Sequence, residues 1–143
     1  MKKIFLDTNV MLDSALARGD NGIAASAILS ACEYGEMEGC LSFLSVANMA
    51  YMLKKGRTAK EMTEILKEYT RFLTILPMDN EQLVQAFSVT APDFEDVLQY
   101  ECAKASACDT IVTSNEKHFK FCKDIKIIST LNFADQFVES VEG

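Results

Sequence analysis

The feature that most constrains this chain is its opening, Lys3-Ile4-Phe5-Leu6-Asp7-Thr8-Asn9. Three consecutive apolar residues stop at a carboxylate. An apolar run this short, with no polar alternation, reads as a strand buried on both faces, Lys3 to Leu6, with Asp7 at its carboxyl end. In open α/β sheets ligands bind in the crevice beyond the carboxyl ends of the strands. An acid at that point is placed for a cation rather than for the core.

Short apolar segments recur after it, separated by stretches of helical periodicity. Val10, Met11, Leu12, Ala15 and Leu16 form a first stripe, ended by a turn cluster over residues 18–22. Ile23, Ala24, Ala27, Ile28, Ala31 and Cys32 give a second helix to about Tyr34. Cys40 to Leu44 is a second strand, and Ser45 caps a third helix, Val46 to Lys55. Thr58 with Glu61 three residues on is a capping box. It opens a fourth helix striped by Met62, Ile65, Leu66, Tyr69, Phe72 and Leu73.

Thr74 to Leu76 is a third strand stopped by Pro77, and Glu81 to Val89 a fifth helix. Pro92-Asp93 opens a sixth helix to about Ala107. Thr110–Thr113 and Lys126–Ile128 are further strands, and Leu131 to Val141 is a last helix with Phe133, Phe137 and Val141 at spacing four. Tyr51, Tyr69, Phe72 and Phe87 fall on apolar stripes and read as core. Strands alternating with helices predict a three-layer α/β/α domain around a parallel sheet of four to five strands. At 143 residues the whole chain, 1–143, is expected to be one domain.

Composition narrows the class. With 49% hydrophobic and 24% charged residues the balance is globular. No apolar run approaches the ~20 residues that span a bilayer, so no membrane association is expected. Asp7 interrupts the first apolar stretch too early for a signal peptide, and a cytoplasmic location follows. Five cysteines (32, 40, 102, 108 and 122) with no C-x-x-C spacing predict free thiols rather than disulfides or a zinc site. The net charge of −7 argues against a protein that coats nucleic acid. It is compatible with a nuclease, whose clustered carboxylates lower the net charge while bound cations reverse the local field.

The predicted strand ends carry a set of oxygen-bearing side chains. Asp7 is first. Asp93-Phe94-Glu95-Asp96 opens the sixth helix, with Asp93 and Asp96 on one face. Thr113-Ser114-Asn115 ends the fourth strand, preceded by Asp109, and Asn48 lies one turn into the third helix. Such a set suits a hard cation such as Mg²⁺ or Mn²⁺. Each residue also has a plain structural use. Asp7 and Asp93 can cap helices, Asp96 can close a capping box, and Asn115 can sit in a turn. Taken singly, capping has the edge. Taken together, those uses leave the concentration of oxygen ligands on one rim without a reason.

The segments IFLDTNVMLD, SFLSVANMAYML and DFEDVLQYECAKASACDTIVTSNEKHF resemble the PIN domain family in order and over almost the whole chain. Relatives there include the ribonuclease toxins of VapBC-type toxin–antitoxin pairs. The resemblance implies cleavage of an RNA substrate, dependent on Mg²⁺ or Mn²⁺, by water attacking phosphorus. It implies Asp7, Asp96, Asn115 and Asn48 as catalytic residues, with Asp7, Asp96 and Asp93 at the metal. Thr113, Asn9, Lys117 and Arg18 are expected to face substrate. An antitoxin protein and a homodimer are the partners it suggests. Two positions depart from the family: Asn48 stands where many members carry Glu, and His118 where Asp is common. Both remove negative charge. The rival expectation is a degenerate domain that binds RNA or protein and cuts nothing. His118 reads as a lone surface histidine, and Lys54, Lys55, Arg57 and Lys60 as solvated helix ends.

Overall fold

A computed structural model describes the backbone of residues 1–142 and the side chains of residues 1–137. Its elements, in order, are β1 (Lys3–Leu6), α1 (Thr8–Ala15), α2 (Gly19–Glu33), β2 (Glu38–Ser42), α3 (Phe43–Leu53), α4 (Ala59–Thr70), β3 (Thr74–Leu76), α5 (Asn80–Phe87), α6 (Phe94–Ala105), β4 (Thr110–Thr113), a 3₁₀ turn (Glu116–Phe119), β5 (Lys126–Ser129) and α7 (Thr130–Glu142).

The five strands form one parallel sheet in the order β3-β2-β1-β4-β5. The first strand therefore lies in the middle. Successive side chains on a strand point to opposite faces, and the core divides accordingly. Ile4, Leu6, Leu41, Val112 and Ile128 join α1, α2, α3 and α7 on one side. Phe5, Cys40 and Ile111 meet Tyr100, Cys102 and Ala103 of α6 on the other. This is the α/β/α architecture expected from the alternation of segments.

Several boundaries differ from the sequence reading. The turn after α1 uses only residues 16–18, and α2 begins at Gly19. Gly22, which reads as a turn residue, is instead inside α2 where it crosses α1. A Cβ there would lie 2.6 Å from the Asp13 carbonyl oxygen, so its small size serves packing. The buried face of α2 is Ala24, Ala25, Ile28, Leu29, Ala31 and Cys32, and Ile23 and Ala27 point to solvent.

Strand β2 ends at Ser42, not Leu44. The Ser42 hydroxyl accepts from the Ser45 backbone N–H at 3.0 Å, so Ser42 caps α3 and Ser45 is buried beneath it. Phe43 consequently faces out. Tyr69 and Phe72 pack on the core, whereas Tyr51 and Phe87 are exposed, contrary to the expectation of core positions. The capping box at Thr58 and Glu61 is present in full. Phe133 and Phe137 of α7 pack as expected, and Val141 lies outside the described side chains.

All five cysteines are free thiols, four of them buried. Burial pushes Cys32 and Cys122 up to about 12 and Cys102 to about 11. Thiols held that far from ionisation are poor nucleophiles. No helix among the described residues is long and apolar enough to cross a membrane.

Candidate metal centre

A cavity of about 280 Å³ opens at the carboxyl edge of the sheet. Its walls include Asp7, Asn9 and Arg18 from the first part of the chain, Asn48 and Tyr51 from α3, Asp93, Glu95 and Asp96 from the start of α6, and His118.

Asp7 is set by the pairing of β1 with β4. Leu6 stands beside Val112, and the Asp7 backbone N–H continues the ladder to the Val112 carbonyl at 3.0 Å. That register lays the Asp7 carboxylate against Thr113. Its Oδ2 accepts from the Thr113 hydroxyl at 2.9 Å, and its Oδ1 accepts from the Thr8 N–H at 2.9 Å, which caps α1. Only 7% of the residue is exposed. Burial raises its pKa above the usual carboxylate value, against the two hydrogen bonds, which lower it. Thr113 is fully buried, and its oxygen also accepts from the Asn115 N–H at 3.0 Å.

Asp96 arrives from the opposite wall. Asp93 caps α6 by accepting from the Glu95 N–H at 2.9 Å. Asp96 is not the returning acid of a capping box: its Oδ2 is buried with no hydrogen-bond partner, and the residue is 8% exposed. The nearest donor is His118, whose Nδ1 lies 3.4 Å away. Burial first, and then the neighbouring charges of Asp93 and Asp7, push the Asp96 carboxyl up to about 7.

His118 is therefore part of the cavity rather than a solitary surface residue. Its other nitrogen, Nε2, lies 3.0 Å from the Asn115 amide nitrogen. With Asn115 donating, Nε2 accepts and the ring proton sits on Nδ1, facing Asp96. Asn115 itself lies outside the cavity wall and acts on it through Thr113 and His118. Lys117 is exposed and does not line the cavity. Arg18 does, and its guanidinium lies 3.4 Å from the carboxylate of the buried Asp13.

Asn48 donates from its amide to Glu95 Oε1 at 2.6 Å, joining α3 to α6 across the cavity. Glu95, absent from the sequence-derived set, thus brings a carboxylate to the rim beside the amide at position 48. Only its place within the acidic stretch 93–96 signals it in the sequence. A buried network lies below. Gln99 is fully enclosed, and its amide nitrogen donates to the Ser45 hydroxyl at 2.8 Å while its oxygen accepts from the Ser42 hydroxyl at 2.6 Å. Ser45 Oγ and Thr8 Oγ1 are 2.8 Å apart. The network ties the ends of β1 and β2 to α6, one turn below Asp96. The sequence hint is a glutamine three residues after an acid on an otherwise packed face.

One carboxylate oxygen each from Asp93 and Asp96 and one nitrogen of His118 lie within 4.8 Å of one another. With its proton on Nδ1 the imidazole is not itself a ligand, but the two carboxylates, one with a buried oxygen lacking any hydrogen-bond partner, fit a divalent cation of the Mn²⁺ or Mg²⁺ kind. Asp7 lies outside that trio but lines the same cavity, and its charge contributes to the raised pKa of Asp96.

Known proteins are similar to this chain over most of its length. Ribonuclease VapC1 of Aquifex aeolicus (strain VF5) is 29% identical over 144 residues, covering 95% of this chain and 96% of that protein. Solved structures of the same fold include a DNA-bound VapBC from Salmonella typhimurium, with TM-score 0.70 and 16% identity over 91% of this chain and 99% of the other. VapBC2 from Rickettsia felis, bound to a DNA fragment from their promoter, aligns with TM-score 0.66 and 18% identity over 88% and 97%. The PIN domain family profile matches residues 3–117. This chain belongs to the PIN domain family.

Proposed function

We propose that the protein is a divalent-metal-dependent endoribonuclease of the PIN type, and that it is the toxin of a toxin–antitoxin pair with a protein antitoxin as its partner. The observation that carries the catalytic reading is the Asp96 oxygen, buried at the cavity with no hydrogen-bond partner. A carboxylate left in that state is costly unless something from outside completes it. The VapC1 relative and the VapBC neighbours support the choice of RNA and of an antitoxin.

Asp7, Asp93 and Asp96 hold the cation in this reading, with His118 Nδ1 alongside Asp96. A divalent cation bound there would supply a Lewis acid for the phosphoryl oxygens and make a nearby water more acidic. The protein's own part is preorganisation. Thr113 and Thr8 keep Asp7 from rotating. Asn115 keeps the His118 ring turned toward Asp96. Asn48 holds α3 against α6 through Glu95. Arg18 and Asn9 face the cavity where the phosphate backbone enters, and an Arg side chain is suited to bind it in forked geometry. The reaction is intracellular in this reading, with a cytoplasmic RNA as substrate.

The test is a Mn²⁺ titration followed by thermal melting and by cleavage of single-stranded RNA. Wild-type protein is expected to gain stability through linkage and to cut. Asp7→Asn and Asp96→Asn are expected to lose cleavage, and Asp96→Asn the Mn²⁺-dependent stabilisation. Full activity in purified Asp7→Asn would refute the mechanism. The second reading, a PIN domain that binds RNA or protein and cuts nothing, draws on the amide at position 48. Equal melting responses to Mn²⁺ in wild type and Asp96→Asn, with no cleavage, would favour it.

A further inference from the structure

Tyr51 has no role in holding the acids, yet it lines their cavity and is 60% exposed. Helix α3 starts at the carboxyl end of β2. Asn48 and Tyr51 are three apart and share a face, about 4.5 Å apart along the axis. The ring is thus one helical turn further along α3 from the amide that meets Glu95. The Lys54 ammonium lies 4.4 Å from the ring centroid. Lys54 stands outside the cavity wall, and Arg18 supplies a cation on the wall itself. The remaining exposed aromatic pair near the site, Phe87 stacked on Phe94 at 5.5 Å, does not line the cavity.

An open aromatic ring beside carboxylates is poorly explained by packing, because little of it is covered. It is well explained by a flat, uncharged partner. Nucleobases stack on aromatic rings irrespective of sequence, and cations placed next to such rings neutralise the adjoining phosphates. We propose that Tyr51 is a nucleobase subsite: the base next to the scissile phosphate of a single-stranded RNA stacks on its ring, while Lys54 meets the backbone phosphate alongside. This rests on the ribonuclease reading for the identity of the polymer, but it concerns binding and is separable from cleavage. A base still paired in a duplex has its faces covered by its neighbours, so the subsite selects unstacked nucleotides.

The experiment measures binding of a fluorescent single-stranded RNA to full-length protein in EDTA, where nothing is cut. It is repeated with the same RNA carrying abasic riboses throughout. Tyr51→Ala is expected to weaken binding of the intact RNA by about ten- to a hundredfold. Tyr51→Phe and Tyr51→Trp are expected to retain it. Binding of the abasic RNA should be the same for wild type and Tyr51→Ala. Lys54→Ala should weaken both RNAs alike and flatten the dependence on salt by about one phosphate contact. In a cleavage assay Tyr51→Ala should raise KM and leave kcat unchanged. Circular dichroism and melting of each variant check that the fold is kept.

Equal affinity of wild type and Tyr51→Ala for the intact RNA would overturn the proposal while leaving the nuclease reading in place. So would equal losses for intact and abasic RNA, or no binding of single-stranded RNA by wild type. Base-dependent binding through Tyr51 with no cleavage in Mn²⁺ would uphold the subsite and refute the nuclease.

Discussion

Asp7 and Asp96 are equally buried at one cavity and are served in opposite ways. Asp7 is anchored: a threonine hydroxyl and a backbone N–H each take one lone pair of its two oxygens and leave the others open. Asp96 is starved: one oxygen has no hydrogen-bond partner, and two other acids press on it. The first is a carboxylate whose orientation the fold fixes. The second has an oxygen that no hydrogen bond among the described residues completes. In the proposed reading, a site built from one of each pairs a rigid anchor with an oxygen open to a cation.

The sharpest test of that contrast sets activity against stability. Both Asp7→Asn and Asp96→Asn are expected to lower cleavage by roughly 10²-fold or more, since each removes charge aimed at the reacting phosphate. The metal-free proteins should diverge. Asp7→Ala strands the Thr113 hydroxyl and the Thr8 N–H and is expected to cost about 1–3 kcal/mol in chemical denaturation. Asp96→Asn relieves repulsion and should raise the melting temperature at pH 8. A fall in both would erase the distinction between the two acids.

Gln99→Leu comes next in size. It keeps the bulk but strands the buried Ser42 and Ser45 hydroxyls, at a cost of about 1–3 kcal/mol in denaturant unfolding. Because the network ties α6 to the ends of β1 and β2, it should also weaken Mn²⁺ stabilisation, and an unchanged Mn²⁺ response would mean that Asp96 is placed without it.

The pH dependence is smaller and has a definite sign. Between the ordinary carboxylate range and about pH 7, Asp96 keeps a proton in the folded chain that the unfolded chain has lost. Its contribution to metal-free stability is therefore full below that range and is lost as pH rises through about 7. Melting of the metal-free protein should decline over that window in wild type, and less so in Asp96→Asn. Mn²⁺ binding should strengthen over the same window, since the cation needs the ionised carboxylate. Arg18→Ala should raise KM for RNA a few-fold, as expected for one phosphate contact, and should also lower the melting temperature, because it leaves the buried Asp13 carboxylate without its cation.

Much of the fold was legible because its causes are local. An apolar run that ends on an acid makes β1 and places Asp7 after it. Thr58 with Glu61 starts α4, and Pro77 stops β3. The misread stretches are those where packing decided. Gly22 looks like a turn until α1 is seen to cross it. Ser42 and Ser45 are equally good caps on paper, and the choice between them is settled by burial of Ser45 against Gln99 and Thr8. Tyr51 and Phe87 match an apolar stripe, but both stay more than half exposed.

By itself the sequence determined the α/β alternation and put Asp7 at a strand end and Asp93 and Asp96 at a helix start, because propensity, capping and strand burial act between residues close in the chain. Only the tertiary structure decided how those acids differ. Whether a carboxylate is satisfied depends on which donors reach it from 22 to 106 residues away, and the placement of Thr113 on Asp7, His118 near Asp96 and Asn48 on Glu95 exists only once β1 lies beside β4 and α6 closes over α3.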